Sequence, residues 1–167
     1  ENPIITVDIG QTVCWAAQSL YIRGKNGRII IGGSYGAMGV GLPYAIGSSI
    51  STGNGIVYCI TGDGGLQMNI QELATIKEYG LNILIFIINN SQYGILVVNN
   101  LELGKISEIQ HGSYNDRYCI TTADSGYSVP DFVKIANAYG IKASKLNSYE
   151  ELNDYKEWLL DNEPCLL

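Results

Sequence analysis

The feature that most constrains this chain is a set of short, β-branched apolar runs that do not alternate with polar residues. Ile4-Ile5-Thr6-Val7, Ile29-Ile30-Ile31, Ile56-Val57-Tyr58-Cys59-Ile60 and Ile83-Leu84-Ile85-Phe86-Ile87-Ile88 are all of this kind. A strand that is apolar at every position needs cover on both faces, as in a parallel sheet with helices on each side. Helical patterns stand between the runs. One covers Gln11 to Tyr21, and a second covers Leu42 to Ile50 with Pro43 in its first turn. Leu66, Ile70, Leu73 and Lys77 fall on one stripe and predict a single helix that Gly80 ends. Phe132, Val133, Ala136 and Tyr139 repeat at helical spacing up to Gly140, and Ser148 with Glu151 reads as a capping box for a last helix to about Asp161. The expected fold is therefore α/β, an open and mostly parallel sheet with helices on both faces.

Composition narrows the class further. A length of 167 residues favours one domain, here 1–167, with enough chain to bury a real core. Charged residues are only 16% of the chain, too few for a solvated, disordered segment. Ten basic residues against sixteen acidic give a net charge of −6, and no basic cluster breaks that balance, so nucleic acid is not an expected partner. The longest apolar run, Ile83 to Ile88, is far short of a membrane span, and no membrane partner is expected. Cys14, Cys59, Cys119 and Cys165 match neither a metal-site spacing nor a dense disulfide framework, and read as reduced, mostly buried thiols of a cytoplasmic protein. No charged-then-apolar leader precedes Ile4, residue 1 is not Met, and the sequence stops at Pro164-Cys165-Leu166-Leu167 as a strand begins, so a fragment of a longer chain is expected. The polar stretch from about Gln92 to Ser128 has no clean period. Its main part, 95–128, is expected to form an irregular flap within the domain.

In an open α/β sheet, ligands bind beyond the carboxyl ends of the strands. Those ends read Asp8-Ile9-Gly10-Gln11, then Gly32-Gly33-Ser34-Tyr35-Gly36-Ala37-Met38-Gly39, then Gly62-Asp63-Gly64-Gly65, then Asn89-Asn90-Ser91-Gln92. The last two suit a hard cation. Magnesium takes oxygen ligands and commonly shares its shell with phosphate oxygens. Asp63 offers a carboxylate, Asn90 an amide carbonyl, and a nearby backbone carbonyl a third oxygen. Gly64 and Gly65 allow backbone to approach a phosphate closely. Asp63 and Asn90 are 27 positions apart, the length of one helix and one strand, so they can sit at adjacent strand ends. No GxxxxGK[ST] or GxGxxG motif is present to support an ordinary nucleotide site.

Gly62-Asp63-Gly64 followed by Asn89-Asn90 resembles the thiamin diphosphate signature, GDG then NN. Gly36-Ala37-Met38-Gly39-Val40-Gly41-Leu42-Pro43-Tyr44-Ala45-Ile46-Gly47 resembles the GxMGxGLPxAIG segment of acetolactate synthases. Asp8-Ile9-Gly10-Gln11 with Trp15-Ala16-Ala17-Gln18, and Met68-Asn69-Ile70-Gln71-Glu72-Leu73-Ala74-Thr75, resemble two further segments of that family. The resemblance runs from about Ile4 to Gly94, and weakly from Phe132 to Ala143.

The resemblance implies a C-terminal thiamin-diphosphate-binding domain, with thiamin diphosphate and Mg2+ as cofactors. Asp63 and Asn90 would be side-chain metal ligands, with the carbonyl of Gln92 as the third. Gly10, Gln11, Gly64 and Gly65 would contact diphosphate. The carbonyl of Gly36 would accept from the aminopyrimidine, and Met38 would be the wedge that keeps the cofactor bent. The whole enzyme would decarboxylate a 2-keto acid such as pyruvate, with the cofactor ring as electron sink, and ligate the product. It would act as a homodimer or homotetramer. The activating glutamate of the family belongs to a separate domain supplied by a neighbouring subunit, so this stretch alone would hold no catalytic residue and would be inactive. Two departures are visible. Thr12 stands where the family usually has a histidine or similar polar residue, and Ile95-Leu96-Val97-Val98 stands where acetolactate synthases carry a Gln-Trp pair. A related 2-keto-acid or phosphonopyruvate-type decarboxylase, a non-enzymatic dimerisation domain, and a magnesium-dependent phosphate binder remain alternatives.

Overall fold

The structure, a computed structural model, describes residues 3–22, 26–95, 122–123, 126–158, 161 and 163–167. Six strands form one sheet: β1 (Ile4–Val7), β2 (Arg28–Ile31), β3 (Val57–Gly62), β4 (Ile83–Ile88), β5 (Lys142–Ala143) and β6 (Cys165–Leu166). Their spatial order is β2-β1-β3-β4-β6-β5, and every pairing is parallel. The helices are α1 (Gln11–Ser19), α2 (Gly41–Ser51), α3 (Asp63–Met68), α4 (Glu72–Glu78) and α5 (Phe132–Ala138), followed by a 3-10 helix at Glu150–Tyr155.

Register decides which side chains share a face. Ile4 pairs with Val57, which pairs with Ile83, and Thr6 lies level with Cys59 and Ile85. Val57, Cys59, Ile83 and Ile85 are fully buried in one cluster with Leu42 and Ala45 of α2, Leu66 of α3, Leu73 and Ile76 of α4, and Phe132 and Ala136 of α5. Each large apolar side chain buried this way contributes roughly 1.5–3 kcal/mol. Val7 and Leu84 are also buried but stand outside that cluster, at the alternate positions that point the other way. On that face lies α1, whose Ala16 is buried. Helices thus cover both faces, as expected, but unequally. Ile29 and Ile31 of the edge strand β2 share a face with Val7 and are exposed, so the expected two-sided burial of every run does not hold there.

The single helix expected over Leu66 to Lys77 is instead two. The break falls at Asn69, which leaves helical geometry at φ −133 and donates from Nδ2 to the Gly39 carbonyl at 2.7 Å. A short amide side chain that can bond elsewhere competes with the helix for its own backbone. The expected capping box also forms differently. Glu151 accepts from the backbone of Asn147 at 2.9 Å, and the segment winds as a 3-10 helix with no buried residue, so no apolar stripe is buried to hold an α-helix together. Trp158 is half-buried, edge-on to Tyr155 with ring centroids 5.0 Å apart. Cys59 and Cys165 are buried as expected, but Cys14 is exposed because it lies on the outer side of α1. Cys119, and most of the 95–128 segment expected as a flap, lie outside the described residues. No helix among the described residues is long and apolar enough to cross a membrane.

Candidate functional site

The chain reverses direction across the sheet at β1. From β1 it moves outward to β2, then returns past β1 to β3. Loops leaving the carboxyl ends of β1 and β3 lead into helices on opposite faces, which opens a crevice between them. A cavity of about 200 Å3 occupies that crevice.

All nine residues singled out from the sequence line this cavity: Gly10 and Gln11 after β1, Gly36 and Met38 after β2, Asp63, Gly64 and Gly65 after β3, and Asn90 and Gln92 after β4. Thr12 and Tyr93 line it as well. A larger cleft of about 730 Å3 opens beside it, along the ends of β4 and β6 and the start of α5. Asn89 and Ser91 face that cleft, whereas Asn90 and Gln92 face the smaller cavity, so successive residues of one loop are shared between the two. The polar groups singled out from the sequence converge only on the smaller cavity.

Asp63 is only 3% exposed. One of its oxygens accepts from the backbone N–H of Gly64 at 2.8 Å, and the other accepts from the N–H of Ser91 at 2.8 Å. Burial pushes its pKa above the ordinary aspartate value, and those two backbone donors oppose the rise. Ser91 adopts a left-handed backbone at φ 53, a strained position for a residue with a side chain. Its N–H and hydroxyl both donate to the Asn89 side-chain oxygen Oδ1 at 3.2 Å. Asn90 donates from Nδ2 to Gln11 Oε1 at 3.2 Å, which ties the β4 loop to the β1 loop; among the described residues no protein donor meets the Asn90 side-chain oxygen Oδ1.

Asp8, a residue not singled out for a role, organises the floor of the site. Its carboxylate is buried and accepts from the backbone N–H groups of Ile9 at 2.7 Å and Gly39 at 2.9 Å, and from the Thr61 hydroxyl at 3.0 Å. These bonds join the ends of β1 and β3 to the loop carrying Met38. A Cβ on Gly65 would overlap the Asp8 carboxylate, so only glycine lets α3 begin so close to β1. Glu72, by contrast, does not line the cavity and accepts from Thr75 Oγ1 at 3.0 Å within its own helix. His111 and Tyr114 lie outside the described residues.

The cavity's chemistry fits a metal-bound diphosphate. Among the described residues its lining holds one carboxylate, side-chain amides and backbone groups, and no Lys, Arg or His. Among the described residues, a phosphate there would meet Asp63 with no protein cation between them, a setting that suits a bridging divalent ion. Among the described residues no three His, Cys, Asp or Glu side chains gather as a self-sufficient metal cage. A cation here therefore needs amide, backbone and phosphate oxygens, which is the habit of Mg2+. The space beside Gly64 is also of the right kind. A Cβ there would press on the Tyr93 ring, on Met38 Cε at 3.2 Å and on the Tyr127 hydroxyl at 3.2 Å.

Comparison with known proteins agrees with this chemistry. Residues 8–167 match the family described as thiamine pyrophosphate enzyme, C-terminal TPP binding domain. The chain is 36% identical over 167 residues to an acetolactate synthase large subunit of Cyanidium caldarium, covering 100% of this chain and 26% of that protein. It is 38% identical over 169 residues to a probable acetolactate synthase large subunit of Methanococcus aeolicus, and 40% identical over 169 residues to one of Methanocaldococcus jannaschii, again covering 100% of this chain and 26% of each relative. The chain thus spans about a quarter of the length of the curated relatives it matches. With a parallel sheet, a crevice at its switch point and a family match over almost its whole length, the chain belongs to the thiamine pyrophosphate enzymes, as their C-terminal TPP binding domain.

Proposed function

We propose that this domain holds thiamin diphosphate through Mg2+ as part of an acetolactate-synthase-like enzyme that decarboxylates a 2-keto acid such as pyruvate and ligates the product. The observation that carries the reading is the meeting of Asp63, Asn90 and Gln92 with Gly10, Gln11, Gly64 and Gly65 around one cavity that, among the described residues, has no cationic side chain. Asp63 and Asn90 would ligate the metal with side-chain oxygens, and Gln92 with its carbonyl. Gly64 and Gly65 would present backbone to the diphosphate, with Gly10 and Gln11 opposite them. Met38 and the Gly36 carbonyl, from the loop after β2, would set the position of the aminopyrimidine. When bound, the cofactor supplies the electron sink that decarboxylation of a 2-keto acid requires.

The whole of 1–167 acts in this reading as one cofactor-binding domain of a longer cytoplasmic protein, with 95–128 as an irregular flap within it. Tyr44 within the Gly36–Gly47 segment, and Tyr35 and Met68 beside it, are exposed. They are the surface on which a second subunit would close, in a homodimer or homotetramer, and that subunit would bring the activating glutamate. The domain alone would therefore bind cofactor weakly and catalyse nothing. Ile95, which lines the cavity, begins an apolar run and favours a second reading, a simple 2-keto-acid decarboxylase. Product analysis of the full-length protein with pyruvate, thiamin diphosphate and Mg2+ separates the two: acetolactate supports the first reading, acetaldehyde the second. Turnover that needs neither cofactor nor metal contradicts both.

A further inference from the structure

Tyr127 is 8% exposed, and its buried hydroxyl interacts with Asp63 and Tyr93 yet, among the described residues, is aligned on neither as a full hydrogen bond. It stands 3.2 Å from the point where a Cβ on Gly64 would lie, next to Asp63. The Tyr127 ring packs on Tyr93 with centroids 4.6 Å apart at 53°, and Tyr93 lines the cavity. The backbone is tied to the same place. Tyr127 donates its N–H to the Thr122 carbonyl at 2.9 Å, and Thr122 forms a β-bridge with Gln92 in the loop after β4.

We infer that Tyr127 is a positioning residue for Asp63, its hydroxyl being the donor that closes on the Asp63 carboxylate once metal and diphosphate are held there. The inference rests on the reading of Asp63 as a metal ligand. A buried hydroxyl without a full hydrogen bond is a cost that folding does not normally leave in place, and phenylalanine would fill the ring's position without it. The acceptor beside it is Asp63. Each oxygen of that carboxylate takes one backbone N–H and keeps further lone-pair capacity. A phenol carries its proton at neutral pH, so the hydroxyl acts as a donor. The hydroxyl lies beside the carboxylate without aligning on it. A metal that fixes the orientation of Asp63 would supply the missing alignment, and the Gln92–Thr122–Tyr127 tether moves the donor with the ligand loop.

The test uses the full-length protein, thiamin diphosphate and a titration of Mg2+. With Tyr127→Phe, the Mg2+ concentration giving half-maximal cofactor binding should rise roughly tenfold or more, the usual scale for losing a hydrogen bond to a charged group. The ligand-free variant should melt at the same temperature as the parent or higher, because the poorly aligned hydroxyl is gone. A near-UV tyrosine difference signal should accompany addition of Mg2+ with inorganic pyrophosphate, and should be lost in the variant. Cofactor binding with an unchanged Mg2+ requirement overturns the inference alone, as does a lowered melting temperature with no change in that requirement. Failure of the parent protein to bind the cofactor with Mg2+ overturns the metal-site reading and the inference together.

Discussion

The Asp63 carboxylate accepts the backbone N–H of Ser91 at 2.8 Å, joining two strand ends that are 28 residues apart in the chain. This contact places the loop after β4 against the loop after β3, and thereby brings Asn90 and Gln92 to the cavity that Asp63 lines. The strained backbone of Ser91 is held in place by Asn89 from one side and Asp63 from the other. The arrangement of Asp63, Asn90 and Gln92 around the cavity is therefore built into the fold.

Burial of Asp63 has a consequence for stability against pH. Its folded pKa is raised above the unfolded value near 3.8, so between the two values the folded chain binds the extra proton. Stability of the ligand-free protein, measured against an Asp63→Ala variant by denaturant titration, should rise as pH falls through the raised folded pKa. It should level off below the unfolded value. Mg2+-dependent binding should move in the opposite direction, because a proton on Asp63 competes with the metal. A stability difference that is flat with pH across the acidic range would contradict this.

Gly64 and Gly65 are neighbours with different duties. A Cβ on Gly65 meets the buried Asp8 carboxylate, which is fixed by three hydrogen bonds and cannot yield. Gly65→Ala should therefore cost about 1–3 kcal/mol of stability, the usual scale of overpacking. A Cβ on Gly64 points at side-chain ends of Met38, Tyr93 and Tyr127. Those ends can shift, so Gly64→Ala should fold with a smaller loss and instead weaken cofactor binding by roughly tenfold or more, about 1.4 kcal/mol. Equal stability losses in the two variants would show that the distinction is wrong.

The thiols should divide by reactivity. Burial pushes the Cys59 thiol up to about 12 and the Cys165 thiol up to about 11, so neither presents a thiolate at neutral pH. Cys14 is exposed. A thiol reagent followed by peptide mapping should modify Cys14 in the native protein and reach Cys59 and Cys165 only after unfolding. Rapid native-state labelling of Cys59 would contradict the packing of β3.

Much of the fold was legible in the chain, because a parallel sheet buried on both faces leaves continuous apolar runs such as Ile83 to Ile88. The site was legible for a related reason: strand ends on one edge can be read in order, and the glycines, Asp63 and Asn90 all fall there. What was missed depended on contacts remote in sequence. The break at Asn69 needs the Gly39 carbonyl, which local propensity does not register. Asp8 looks like an ordinary strand-end turn residue until Thr61 and Gly39 are brought to it. Tyr127 is one of twelve tyrosines, and only the fold shows that its hydroxyl is buried beside Gly64 and Asp63.

The most direct measurement is thiamin diphosphate binding to the full-length protein by calorimetry, with Mg2+ and then with the metal chelated, for the parent and for Asp63→Ala and Asn90→Ala. The account predicts saturable binding that disappears on chelation and is abolished by Asp63→Ala. Asn90→Ala should weaken it at least tenfold, about 1.4 kcal/mol. Binding that survives chelation, or that is unchanged in both variants, would contradict it.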